Sequence, residues 1–137
     1  MNKGTVWVIG ASSGLGLATA KAFAADGWLT VSGARSFGAP AAGDPADDGV
    51  RTLGLDVTDA QSREDFAKAA FAISPRVDAL VYCAAVLVLG ACETTSHDEY
   101  ERMMQTNFLG MTDMVRMVLP AMRTQKNGRI ILFSSIN

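Results

Sequence analysis

Residues 10–16, Gly10-Ala11-Ser12-Ser13-Gly14-Leu15-Gly16, form a glycine-rich stretch directly after a short apolar, β-branched run, Thr5–Ile9. Beyond it Leu15, Ala18, Ala22 and Phe23 recur at helical spacing as far as Ala25, and Gly27 is a fitting stop. The order predicts a buried strand, a tight turn and a helix. A turn so placed suits an anion. The amino end of a helix offers unpaired backbone N–H groups and the positive end of the helix dipole. Glycines let the backbone approach phosphate groups and let the helix pack close to the strand. The spacing is G-x-x-x-G-x-G. The more widespread G-x-G-x-x-G, begun at Gly14, needs glycine or alanine where Thr19 stands, and the Gly-Lys-Ser/Thr of a P-loop is absent. Taken alone, the turn would also suit some other α/β domain.

From Gly27 onward the chain alternates between strand and helix periodicities. Leu29 to Ser32 is predicted as a second strand, and Ser36 to Gly49, rich in Gly, Ala, Pro and Asp, as a surface loop in place of a full helix. Val50 to Leu55 is a third strand. Thr58 and Gln61 fit a capping box opening a helix to about Ile73. Ala79 to Cys83 is a fourth strand, nearly all apolar, as a parallel strand covered on both faces should be. Ser96 and Glu99 form a second capping box. A helix runs from there towards Thr124 with a break near Asn107, and Asn127-Gly128 turns into a fifth strand, Arg129 to Ser134. Strands alternating with helices predict a parallel sheet with right-handed crossovers. The methionines at 103, 104, 111, 114, 117 and 122 are assigned to core and interface packing.

Composition excludes several classes. In 137 residues, 12 Lys and Arg stand against 14 Asp and Glu, for a net charge of -2, which gives no electrostatic basis for nucleic acid or an acidic membrane. With 49% hydrophobic and 19% charged residues the chain can bury a core as one domain. Cys83 and Cys92 fit no metal or redox motif and are assigned as reduced thiols, and the lone His97 as a solvated residue, so no metal is expected. No apolar run is long enough to span a membrane, and the glycines and serines of residues 10–16 make the amino terminus a poor signal peptide. A cytoplasmic protein is the default.

The turn at residues 10–16 resembles the cofactor turn of the short-chain dehydrogenases/reductases, and further segments agree with that family in order and spacing. Asp56-Val57 resembles its adenine-contacting segment. Tyr82-Cys83-Ala84-Ala85 stands where the family has N-N-A-G, with only Ala84 matching. Asn107, in Thr106-Asn107-Phe108-Leu109-Gly110, resembles the active-site asparagine. Gly128 to Ser135 resembles the fifth strand, which delivers the active-site serine. Ile9 stands where the usual threonine precedes the first glycine. The resemblance covers essentially the whole chain. It implies an α/β fold, a Rossmann-like doubly wound parallel sheet of about five strands, cut off before the C-terminal strands and helices. Residues 1–137 would then be one NAD(P)-binding domain, incomplete relative to the family.

The family's chemistry sets further expectations. Gly10, Ser12, Ser13, Gly14, Leu15 and Gly16 would hold the cofactor, with Asp56, Val57, Ala84 and Ala85. The slot where an NAD site carries an acid holds Ala34, and Arg35 follows. A guanidinium pairs with a 2′-phosphate that an acid would repel, so NADP(H) is expected over NAD(H); a merely solvated Arg35 is the alternative. Asn107 and Ser135 are the candidate catalytic residues. On a strand of period two Ser134 should point the other way; strand-end hydroxyls satisfied by backbone are the alternative for both serines, and a helix-bend residue bonding a freed carbonyl is the alternative for Asn107. The substrate would be a small carbonyl compound or alcohol. The family's Y-x-x-x-K pair is expected after the serine. The chain's tyrosines are Tyr82 and Tyr100, and four residues on from them stand Val86 and Met104. Residues 1–137 alone are therefore expected to be inactive, with an open edge at the fifth strand and an oligomeric full-length protein. A non-catalytic NADP(H)-binding sensor or scaffold is the alternative function.

Overall fold

The structure is a computed structural model and describes residues 2–38 and 48–136. A five-stranded parallel sheet is built from β1 (Thr5–Ile9), β2 (Leu29–Ala34), β3 (Val50–Gly54), β4 (Ala79–Tyr82) and β5 (Arg129–Leu132), in the order β3-β2-β1-β4-β5. Helix α1 (Gly14–Ala25) packs on one face. Helices α2 (Ala60–Ile73), α3 (His97–Met104) and α4 (Gly110–Gln125) come later in the chain, and residues of α2 and α4 pack on the other face. The parallel sheet is the one expected from the alternating pattern, and its Rossmann-like doubly wound arrangement is the one the family resemblance implied. The strand order reverses between β1 and β4, so the turns leaving those strands diverge and open a crevice at their carboxyl ends.

Period-two alternation assigns the strand residues to two cores. Trp7, Ile9, Val31, Leu53, Leu80 and Tyr82 meet Phe66 and Ala70 of α2 and Met114, Val118 and Met122 of α4. Val6, Val8 and Val81 meet Ala20 of α1. β1 and β4 are buried at every position, which is why their sequences are almost wholly apolar, with Thr5 the polar exception. β5 is different. It forms the edge opposite β3, and all four of its residues are exposed. Met114 and Met122 are core residues, while Met104 is exposed.

Several local expectations shift. β2 extends to Ala34, and β3, β4 and β5 stop at Gly54, Tyr82 and Leu132. The Thr58–Gln61 capping box does not form. Asp59 caps α2 by accepting from the Ser62 amide at 2.7 Å, while Thr58 is turned back to Asp56. A carboxylate nearer the helix outcompetes the threonine hydroxyl. The box at Ser96 and Glu99 does form, with both reciprocal bonds. The long helix is broken at Asn107: residues Gln105–Leu109 make a π-turn between α3 and α4. Of the expected loop at Ser36 to Gly49, residues 39–47 lie outside the described residues.

The broken helix grips β4 at both ends. Gln125, the last residue of α4, accepts from the Val77 amide at 3.1 Å and donates to the Val77 carbonyl at 3.0 Å. Asn107, on the π-turn, makes the same two-way pair with Val86 beyond the other end of β4. The packing beneath depends on Phe66, which is fully buried and meets Trp7 edge to face at 5.4 Å. Phe66→Ala should lower unfolding free energy by about 3–5 kcal/mol in urea denaturation; a change below about 1 kcal/mol would contradict this account of the core.

Candidate functional site

A cleft of about 460 Å³ opens where the strands end. Four strand exits line it. The β1–α1 turn contributes Gly10, Ser12, Ser13, Gly14, Leu15 and Gly16; β2 leads into Arg35; β3 leads into Asp56 and Val57; β4 leads into Ala84 and Ala85. The eleven residues that sequence reasoning gave to the cofactor thus share one cleft at the strand-order reversal.

Steric demand explains the glycines. Gly10 has φ +83°, and a Cβ there would sit 2.5 Å from the Ala84 nitrogen. Its amide donates to the Gly33 carbonyl at 2.8 Å, fixing the turn against β2. At Gly16 a Cβ would overlap the Gly10 carbonyl oxygen, so α1 lies directly on the exit of β1. Gly14 has φ +54° and no atom near its Cβ position, so it is required by backbone conformation and faces open space. Ser13, the N-cap of α1, is extended and makes no side-chain cap, and the first turn of α1 holds no acid. The positive end of the α1 dipole therefore meets the cleft without a local counter-charge.

Asp56 is fixed in place. Its Oδ1 accepts from the Thr58 hydroxyl at 2.7 Å and the Thr58 amide at 2.9 Å, and its own amide donates to the Ser62 hydroxyl at 2.8 Å. The Thr58 hydroxyl bond holds the carboxyl below its ordinary range against the opposing effect of burial, with the Thr58 amide, Arg35 and Arg63 adding to the lowering. Arg63 secures the next residue: its guanidinium donates to the Val57 carbonyl at 2.8 Å and pairs with Asp113 of α4 at 3.0 Å. Arg35 is exposed at the rim.

The two candidate catalytic residues stand apart from the cleft lining. Asn107 sits between Thr106, which lines it, and Val86, which also lines it and which Asn107 holds through its backbone. The carbonyl freed by the helix bend is not bonded by Asn107, so the helix-bend role does not describe it. In the π-turn the Gly110 amide reaches back to Gln105, and the Thr106 carbonyl is taken by the Tyr82 hydroxyl at 2.6 Å. Ser135 is exposed, beyond β5. Because β5 ends at Leu132, strand alternation does not separate Ser135 from Ser134. The Phe133 amide bonds the Tyr82 carbonyl at 3.1 Å, so this segment leaves the sheet beside the end of β4.

Neither tyrosine lines the cleft. Tyr82 is buried, and Tyr100 donates to the Cys92 carbonyl at 3.3 Å. Cys83 does line it, but burial pushes its thiol up, which disfavours the thiolate. Among the described residues no cluster of ligands could hold a metal, and no helix is long and apolar enough to cross a membrane. Sequence reasoning missed Gly33, whose carbonyl anchors the turn, and Thr58, whose D-x-T spacing from Asp56 is the signature of a side-chain-closed turn. It also missed Tyr82, which is paired with a carbonyl 24 positions away.

A family model described as short chain dehydrogenase matches residues 4–137. The chain belongs to the short-chain dehydrogenase family. It is 32% identical to a 3-ketodihydrosphingosine reductase of Bacteroides thetaiotaomicron over 133 residues, covering 96% of this chain and 46% of the relative. It is 30% identical to the 2,3-dihydro-2,3-dihydroxybenzoate dehydrogenase of Escherichia coli over 130 residues, covering 95% of this chain and 50% of that one. A short-chain dehydrogenase structure from Streptomyces avermitilis, 28% identical, superposes with a TM-score of 0.86 over 98% of this chain and 51% of that one. The chain thus spans about half the length of these relatives.

The glycine geometry separates two kinds of demand, and mutation should separate them too. Gly14→Ala meets only the backbone preference and should destabilise by about 1–2 kcal/mol. Gly10→Ala adds a backbone clash and should destabilise by about 2–5 kcal/mol. Urea denaturation of the two variants checks the order; equal losses would contradict the close approach of Gly10 to Ala84.

Proposed function

We propose that the chain is the cofactor-binding part of an NADP(H)-dependent oxidoreductase that interconverts a carbonyl and an alcohol, with residues 1–137 forming the NAD(P)-binding portion of a short-chain dehydrogenase domain. The observation that carries the cofactor choice is Arg35 at the rim of the cleft, directly after β2, where Ala34 occupies the slot that an acid holds in an NAD site. The cleft fits a dinucleotide. Gly14 leaves open a space that any Cβ would fill, and the α1 amino end beside it suits a pyrophosphate. Arg35 would pair with the 2′-phosphate. Asp56 and Val57, held by Thr58 and Arg63, would meet the adenine, and Ala84 and Ala85 would close the opposite wall.

When bound, the nicotinamide supplies or accepts the hydride. The chain's own part is to exclude water, orient the reactants and handle the proton. Ser135 would orient the substrate oxygen and Asn107 would hold a water of the proton relay. The bonds of Tyr82 and Tyr100 leave neither suited to acid–base work, so the tyrosine and lysine of the family's proton transfer are proposed to lie outside residues 1–137. The relatives named a reductase and a dehydrogenase support a small-molecule carbonyl or alcohol as substrate. The free thiols of Cys83 and Cys92 are in keeping with a cytoplasmic protein. The exposed apolar side chains Met104, Phe108 and Leu109 support a homo-oligomer.

The departure at Tyr82-Cys83-Ala84-Ala85 favours one other reading, a non-catalytic NADP(H) sensor or scaffold. Turnover set beside binding separates the two. Carbonyl-dependent NADPH oxidation by the full natural protein would remove the sensor; tight NADPH binding without turnover across a carbonyl panel would establish it. For the cofactor, Arg35→Ala should weaken NADPH binding by about 1.5–3 kcal/mol, the worth of a charge-assisted bond, and leave NADH nearly unchanged. Equal weakening of both in a fluorescence titration would contradict a 2′-phosphate contact.

A further inference from the structure

We propose that Tyr82 is a positioning residue for the active site, its hydroxyl holding open the π-turn that presents Asn107. The last step, from geometry to reaction rate, rests on the oxidoreductase reading; the geometric part stands without it.

The π-turn is the unusual element. In a regular helix the Gly110 amide would bond the Thr106 carbonyl, four residues back. Here it bonds Gln105, five back, and the Thr106 carbonyl loses its helical donor. Thr106 is buried, so an unmet carbonyl there would be unfavourable. The Tyr82 hydroxyl donates to it at 2.6 Å. Tyr82 is the last residue of β4, and its side chain lies among the core residues that face α4. The length of the phenol carries its hydroxyl from the end of β4 to that carbonyl, at a position where the family motif has asparagine. Burial pushes the phenol far above its ordinary range, so the hydroxyl is a donor at any working pH.

The consequence falls on Asn107. A π-turn inserts one residue relative to the α-helix, which rotates the preceding side chains by about 100° around the axis. With that rotation Asn107 faces the strand exit and clamps the Val86 backbone at 2.7 and 2.8 Å. Gly110 allows the turn to sit low, since a Cβ there would be 3.0 Å from Val57. The chain Tyr82–Thr106–Asn107–Val86 therefore links the end of β4 to the cleft rim.

The test is Tyr82→Phe in the full natural protein, which removes one oxygen and keeps the ring. Amide hydrogen exchange at Val86 should accelerate about tenfold or more, while the Cys83 amide, bonded to Ile9, keeps its protection. The turnover rate should fall about tenfold with KM for NADPH within about twofold. Combined with Asn107→Ala, it should add nothing to the loss from Asn107→Ala alone, because both act through one group. Unchanged exchange at Val86 overturns the proposal. So does a loss of protection spread evenly over β4, or full additivity with Asn107→Ala, since either marks Tyr82 as ordinary packing. If the variant folds poorly, 3-fluorotyrosine incorporated site-specifically at position 82 alone makes that hydroxyl a stronger donor and should slow Val86 exchange; no change overturns the proposal equally. A wild-type protein that turns over no carbonyl would instead sink the oxidoreductase reading and leave the exchange result to decide the geometry.

Discussion

Where β1 ends, the Gly10 backbone lies so near the exit of β4 that a Cβ would come within 2.5 Å of the Ala84 nitrogen. The same short turn is tied to β2 through the Gly33 carbonyl and is covered by α1, whose Gly16 lies on the Gly10 carbonyl. Three elements meet over a few atoms of bare backbone. That contact sets the depth of the crevice between the diverging strand exits, and it leaves the amino end of α1 facing into it. A side chain at Gly10 would force the turn away from the β4 exit, and one at Gly16 would lift α1 off the end of β1.

The rest of the cleft is held by second partners. Asp56 is locked by Thr58, Val57 by Arg63, and Arg63 by Asp113 on the neighbouring helix. On the far side, Asn107 and Gln125 fasten the backbone on either side of β4. Groups that would touch a ligand are thus fixed by hydrogen bonds and ion pairs to their neighbours, which is how a site keeps its geometry before anything binds. The exception is Arg35, exposed at the rim and free to adapt its long side chain to a phosphate.

Much of this was legible in the sequence, because the relevant signals are local. The apolar runs of β1 and β4 and the glycine spacing come from what adjacent residues need. The capping box at Ser96 and the break at Asn107 could be placed for the same reason. The errors have physical causes. Thr58 and Gln61 matched a capping pattern, but Asp59 between them is the stronger acceptor, and only the geometry shows which residue wins. Strand ends moved by one or two residues because pairing with a neighbour, not propensity, decides where a strand stops. Tyr82 stood out only as a departure from a motif. Its partner, the Thr106 carbonyl, exists as an acceptor because a π-turn forms 24 positions later, and no sequence pattern announces that pairing.

NADP(H) is proposed to enter the cleft at the strand-order reversal, with its extra phosphate at Arg35. A crystal structure of the full natural protein with NADPH would decide this. The pyrophosphate should lie over the turn of Ser12 to Gly16 and the 2′-phosphate within hydrogen-bonding distance, about 2.7–3.2 Å, of the Arg35 guanidinium. A cofactor bound elsewhere, or one whose 2′-phosphate points to solvent away from Arg35, would contradict it.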